Sequence, residues 1–201
     1  MELFSKDLLD GASMKDSITF SKYSSLKNDI LSNKSVVRPL RSDDYLKGFV
    51  ELISENGEKE SAKRLYDSKF LFQDYYSILS ECMGMYYVVV LEDLRLKKIL
   101  GAATLTVEQK FIHSASKRGR IIDVKVDQGH QRIGIGSLLL EVLTRVSYCI
   151  GCYKTTIVCP NSLQVFCENV KYHAEPNQNH LRNSKFPCME NLVASLPSSK
   201  I

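Results

Sequence analysis

Apolar residues recur along this chain with two different periods, and the change from one to the other marks out its elements. Leu46, Phe49, Val50 and Ile53 fall three or four residues apart, which puts them on one helical face. Ser42-Asp43-Asp44 ahead of them offers an N-cap and an acidic first turn, and Asn56-Gly57 offers a stop. A second helical region over Lys59–Glu81 carries Leu65, Phe72, Tyr76 and Leu79. Dense β-branched and aromatic runs then take over. Tyr86–Leu91 and Ile99–Val107, linked from Glu92-Asp93, predict a hairpin, and Arg120–Val126 predicts a further strand. Helical spacing returns with Leu139, Val142, Leu143, Val146 and Ile150, in a helix Ser137–Ile150 closed by Gly151. A strand Lys154–Cys159, a short helix near Ser162–Val170 and room for a last strand follow. Val36-Val37-Arg38-Pro39-Leu40 reads as the first strand, ended by proline. This order predicts a mixed α/β (α+β) domain, with a mostly antiparallel central sheet flanked by helices.

Length and composition narrow the class. With 201 residues and 44% hydrophobic content, the chain can bury one sizeable core. Residues 1–33 are polar and weakly patterned, an arm that docks or stays mobile. Residues 34–187 form the domain, and 188–201 a flexible polar tail. No apolar run is long enough to span a bilayer, and Met1–Asp10 carries acids where a signal peptide carries bases. A net charge of +4 is too small to argue for nucleic acid, but it suits anionic small ligands. Six cysteines without metal-like spacing point to a reducing cytoplasmic setting. Cys149 and Cys152 form one C-x-x-C with no second pair, so no metal is expected.

The chemistry concentrates where Ile121–Val126 gives way to Gln131-Arg132-Ile133-Gly134-Ile135-Gly136-Ser137. A glycine-bearing loop opening a helix gathers backbone N–H groups and the positive end of the dipole, a setting for phosphate. A nucleoside-triphosphate loop of the Walker kind needs a lysine after the last glycine, and Ser137-Leu138 stand there. A dinucleotide fingerprint needs a third glycine, where Leu139 stands, and an acid after the next strand, which ends in Cys159-Pro160. Gln131-x-x-Gly134-x-Gly136 instead resembles the acyl-CoA motif of the GNAT acetyltransferase superfamily. Acetyl-CoA is the co-substrate this implies.

A second segment narrows the resemblance. Glu108-Gln109-Lys110-Phe111-Ile112-His113-Ser114-Ala115-Ser116-Lys117-Arg118-Gly119-Arg120 closely resembles a strand and loop of the eukaryotic glucosamine-6-phosphate N-acetyltransferases. Val36–Leu40 and Gly151-Cys152-Tyr153-Lys154 also look like that family, and the resemblance runs from about Lys6 to Tyr172. It implies acetyl transfer to the amine of glucosamine 6-phosphate by a homodimer whose sugar site lies near the subunit interface. Substrate positions then fall on Lys110, Phe111, Ile112, His113, Asp123, Val124, Tyr153 and Lys154. Cofactor positions fall on Val124, Val126, Gln131, Arg132, Ile133, Gly134, Ile135, Gly136, Ser137, Cys167, Glu168 and Asn169. Asp123 and Cys167 take the catalytic places.

Elementary chemistry agrees with part of this. A sugar phosphate calls for cations, and Lys110, His113, Lys117, Arg118, Arg120 and Lys154 are candidates. Lys117–Arg120 reads equally well as a solvated basic loop. An attacking amine must shed a proton, and Asp123 is the best-placed carboxylate to orient or accept it, unless it merely lies on a strand's open face. The chain departs from the family at Ile122 (a glutamate there), Cys167 (a tyrosine), Leu163 (an asparagine) and Lys171 (a glycine). These departures, with the altered end His173–Phe186, keep open a different amine acceptor or a non-catalytic acyl-CoA-binding role.

Overall fold

The computed structural model describes residues 1–11, 17–54, 69–174 and 180–183. Among them, seven strands form one sheet in the order β1-β2-β3-β4-β5-β7-β6. The strands are β1 (Ser35–Pro39), β2 (Tyr86–Asp93), β3 (Lys98–Gln109), β4 (Lys117–Val126), β5 (Cys152–Val158), β6 (Tyr172–Ala174) and β7 (His180–Asn183). All neighbouring pairs are antiparallel except β4 and β5, which are parallel and joined through a helix. The expected mixed architecture is what forms.

Alternation along the central strands sorts side chains onto two buried faces. On β2, Tyr87, Val89 and Leu91 enter one cluster, while Val88 and Val90 enter the other. The first cluster receives α6 (Ile135–Cys149), whose Leu138, Leu139, Leu140, Leu143 and Val146 are at most 1% exposed. The second receives α4 (Phe49–Ser54) and α5 (Lys69–Glu81) through Phe49, Val50, Leu52, Phe72 and Tyr76. With both faces covered, the strands read as continuous apolar runs.

Three details differ from the sequence expectation. The helix around Leu46 is split. Asp44–Lys47 forms a 3-10 turn, Gly48 turns left-handed at φ 80°, and α4 starts at Phe49. Leu46 is consequently exposed rather than core. Lys117–Arg120 is no loop but the start of β4, paired with β3 and β5. Helix α6 begins at Ile135, two residues earlier than the apolar stripe indicates. Leu65 and Asn56-Gly57 lie outside the described residues, as does the tail 188–201.

The arm docks. Its helices α1 (Asp7–Gly11), α2 (Ile18–Lys22) and α3 (Ser24–Leu31) lie against the domain, with α1 and α2 meeting α6. The Glu141 carboxylate on α6 accepts from Ser17 Oγ at 2.8 Å, Ile18 N at 3.1 Å and Thr19 N at 3.2 Å. Burial alone would raise the Glu141 pKa, but the donors Ser17, Thr19 and Arg145 outweigh it and hold it below the usual range. A depressed carboxyl stabilises the fold above its unfolded pKa, about 4.3 for Glu, and loses that effect as pH falls through the lower folded value. Glu141→Ala is expected to cost about 1–3 kcal/mol and to open residues 17–34 to limited proteolysis at neutral pH. In the parent chain the same opening is expected only on acidification.

Candidate active site

A break in register creates the site. Ala102 faces Lys125 and Thr104 faces Ile122, so Ala103 alone opposes both Asp123 and Val124. This is a β-bulge, and it puts Asp123 at φ 53°, a conformation that aspartate tolerates better than most residues. The bulge leaves the Asp123 side chain exposed, next to the half-buried Val124 and Val126. Parallel pairing of β4 with β5 runs from Lys117↔Cys152 to Ile121↔Ile157, and Val158 pairs instead with His180. From Ile122 onward the two strands part, and the sheet opens into a wedge with Asp123 on one wall.

The glycine loop stands at the mouth of that wedge. Arg132 at φ 64° and Gly134 at φ 97° turn the chain left-handed into α6. Gly134 is the N-cap and no side chain caps the helix. The N–H groups of Ile135, Gly136 and Ser137 have no acceptor within the helix, so they are available to an anion. Gln131 Nε2 donates to Val126 O at 3.4 Å, tying the loop to the end of β4. A Cβ on Gly134 would lie 2.5 Å from Tyr23 Cδ2, and one on Gly136 would lie 3.2 Å from Phe166 Cζ. Two aromatics thus flank a bare backbone cradle whose shape and donors fit a diphosphate. Arg132 and Ile133 are exposed on the loop, whereas Ile135 and Ser137 anchor its far side in the core.

The second predicted region is the β3–β4 connection. Lys110 N donates to Ser116 O at 2.9 Å, closing a loop whose Phe111 and Ile112 are 103% and 66% exposed. His113, Ser114 and Ala115 all sit near φ 55–58°. Each costs roughly 1–2 kcal/mol relative to right-handed backbone. That strain presents His113 beside Tyr153 of β5, ring centroids 4.8 Å apart, uniting two substrate candidates from distant segments. Lys110 Nζ lies 2.5 Å from Glu108 Oε2, and Arg120 Nη2 lies 3.4 Å from Glu108 Oε1. The Lys110 hydrogen bond holds the Glu108 carboxyl below its usual range. Lys117 donates to Ile150 O at 3.2 Å, at the end of α6, and is committed there. The Nε atoms of Arg118 and Arg120 are buried with no hydrogen-bond partner among the described residues. Lys154 is half-buried on β5, next to Tyr153.

The sequence profile described as acetyltransferase (GNAT) family matches residues 37–165, from β1 past the cradle to the wedge's far side. The chain belongs to the GNAT acetyltransferase family. Among its relatives, a Drosophila melanogaster protein named probable glucosamine 6-phosphate N-acetyltransferase is 33% identical over 166 residues, 81% of this chain and 73% of that protein. Glucosamine 6-phosphate N-acetyltransferase 1 of Dictyostelium discoideum is 29% identical over 135 residues, 67% of this chain and 82% of that protein. The crystal structure of glucosamine-6-phosphate N-acetyltransferase from Arabidopsis thaliana has the same fold. It superposes with a TM-score of 0.64 at 24% identity, covering 72% of this chain and 95% of that one.

For a GNAT acetyltransferase, the end of the site contains a departure. From the sequence, Cys167 belongs beside the cofactor, but on α7 (Gln164–Asn169) it is 1% exposed within the core. Burial, followed by the hydrogen bond with Cys159, pushes its thiol up to about 12. It is a packed, protonated thiol, and its neighbour Phe166 is the side chain that reaches the cradle. Glu168 and Asn169 are exposed on α7, with Glu168 accepting from Gln164 Nε2 at 2.8 Å. One group escaped the sequence reading. Asp127 Oδ2 lies 2.6 Å from His130 Nδ1 and Asp127 Oδ1 lies 2.6 Å from Lys98 Nζ, immediately before the cradle. The i, i+3 spacing of Asp127 and His130 hints at it, but Lys98 comes from another strand. Among the described residues no helix is long and apolar enough to cross a membrane.

Proposed function

We propose that this GNAT acetyltransferase moves acetyl from acetyl-CoA to the amine of D-glucosamine 6-phosphate, giving N-acetylglucosamine 6-phosphate for UDP-GlcNAc synthesis. The observation that carries this reading is the exposed Asp123 carboxylate on the bulge, one wall of a wedge whose mouth is the amide cradle. The relatives' names supply the acceptor. Acetyl-CoA, when bound, supplies an acyl group already activated as a thioester. Backbone N–H groups of Ile135, Gly136 and Ser137 hold the diphosphate, helped by Gln131 and Arg132, while Val124 and Val126 line the way inward. Asp123 orients the acceptor and takes the proton its amine sheds. Lys110, His113, Tyr153 and Lys154 hold the sugar phosphate, with Phe111 and Ile112 at the edge of that loop. Two exposed apolar side chains on a strained loop also support a homodimer that covers them. A cytoplasmic location belongs to the same proposal, and Cys82, Cys149, Cys152, Cys159 and Cys167 are free thiols.

A specific observation favours a second reading, a GNAT enzyme for another amine. Ile122 stands where the resembled family has a glutamate, so the wall beside Asp123 offers one carboxylate fewer. Release of free thiol from acetyl-CoA, followed with glucosamine 6-phosphate, spermidine and a lysine peptide in turn, separates the two. Turnover with the sugar phosphate is expected, and turnover confined to spermidine or peptide would replace the first reading by the second. Gly136→Asp tests the cradle itself. Aspartate is compatible with a helix's first turn, but it would put a negative charge where the diphosphate rests. Coenzyme A binding by calorimetry is expected to fall at least 100-fold, with the circular dichroism spectrum retained.

A further inference from the structure

We infer that Lys22 and Tyr23 of the N-terminal arm extend the cofactor site and hold the 3′-phosphorylated nucleotide end of coenzyme A. The inference rests on acetyl-CoA being the co-substrate proposed above. Tyr23 lies at the junction of α2 and α3, where the backbone turns at φ −120°, ψ 79°. Its Cδ2, Cγ and Cβ would stand 2.5, 2.6 and 3.1 Å from a Cβ on Gly134, so the side chain rests directly on the cradle's backbone. Lys22 is exposed, and its Nζ lies 5.7 Å from the centre of the Tyr23 ring. A cation is thereby carried on an aromatic that touches the anion-binding loop.

The arm is held there for a reason of geometry. Glu141 clasps Ser17, Ile18 and Thr19 seven residues along α6 from Gly134, about 10.5 Å or two turns. Ser17 and Thr19 are each 2% exposed, so this clasp is a built contact rather than a surface one. Fixed at that point, α2 runs back along α6 and delivers its last residue, Lys22, and the Tyr23 that caps it to the helix start.

The two ends of the ligand can then be assigned. Gly136 is flanked by Phe166 and by Val126, whose Cγ2 would stand 3.6 Å from a Cβ there. That side leads into the wedge towards Asp123, the direction the thioester must take to meet an acceptor. A linear molecule seated by its diphosphate has its other end on the Gly134 side, against Tyr23 and under Lys22. That end of coenzyme A carries the 3′-phosphate, a dianion suited to an ammonium partner.

Calorimetric titration of the full chain with coenzyme A and with 3′-dephospho-coenzyme A tests this. Lys22→Gln is expected to weaken coenzyme A binding about tenfold or more, the size of a lost charge-assisted contact, and to leave the dephospho compound unchanged. Tyr23→Ala is expected to weaken both ligands, because it removes the support under Gly134. Unchanged coenzyme A affinity in Lys22→Gln, or equal losses for both ligands, would overturn the extension while leaving the cradle standing. Failure of the parent chain to bind either compound would instead remove the cofactor reading on which the extension depends.

Discussion

Asp123→Asn is expected to lower kcat for acetyl transfer by about 10²–10⁴-fold, the range for loss of one positioned proton acceptor. Asparagine is the appropriate replacement because the site is a left-handed bulge. At φ 53° it is among the few residues that hold this conformation at little cost, so Ala103 still faces two residues and the wedge stays open. An amide can no longer take a proton from the acceptor. The KM for acetyl-CoA should change little, since the diphosphate rests on backbone groups of Ile135–Ser137 that the substitution does not touch. Asp123→Ala should lose activity and stability together, because alanine strains the same turn. Steady-state rates with saturating acceptor, beside melting curves for all three chains, distinguish the cases. A kcat within threefold of the parent would mean that Asp123 only shapes the bulge.

Arg38→Met is expected to lower folding stability by about 3–5 kcal/mol, a large share of the 5–15 kcal/mol of an ordinary domain. Arg38 is 1% exposed on β1, and its guanidinium is fully engaged. Nε donates to Glu92 Oε2 at 2.7 Å, while Nη1 and Nη2 donate to Asp44 at 2.8 and 2.6 Å. Lys47 reaches the other Glu92 oxygen at 2.9 Å. Burial alone would raise the Glu92 pKa, but hydrogen bonds from Lys47 and Arg38 overcome it and keep the carboxyl below its ordinary range. Methionine fills the space but leaves Asp44 buried at 0% exposure without its main partner. The cost therefore comes mostly from the stranded carboxylates rather than from the arginine. Arg38→Lys keeps the charge but cannot span both carboxylates, so an intermediate loss is expected. Urea unfolding at neutral pH measures both, and a loss below 1 kcal/mol for Arg38→Met would contradict this account. Because Glu92 is depressed, the network's contribution should also fade in the parent chain as pH drops below the usual carboxylate range.

Several features were legible without coordinates because they are local. The helical spacing of Leu139, Val142, Leu143 and Val146, the β-branched runs of β2 and β3, and the glycine loop are each encoded in fewer than twenty consecutive residues. Backbone periodicity and the special freedom of glycine act over that range, so α6, the hairpin and the amide cradle could be placed from residue order alone. The identity of the cradle's motif also carried the family. Helix boundaries answer to single residues as well as to apolar spacing, as at Gly48, where one left-handed residue splits what the spacing presents as one helix.

Only the tertiary structure decided the rest, because it depends on partners far apart in the chain. Asp123 became a bulge residue through its pairing with Ala103, and its exposure follows from that register rather than from strand alternation. Cys167, aligned by motif with a cofactor-facing position, is buried because its side chain packs α7 inward and Phe166 takes the outward place. The arm's fate turned on Glu141 meeting Ser17, 124 residues away, and the buried charge network on Arg38 meeting Glu92, 54 away. The sequence by itself determined which segments are helix, strand and anion loop, since those follow from neighbours. Which side chains face one another across the wedge, the clasp and the core was left to the folded chain, where long-range register and close packing choose the contacts.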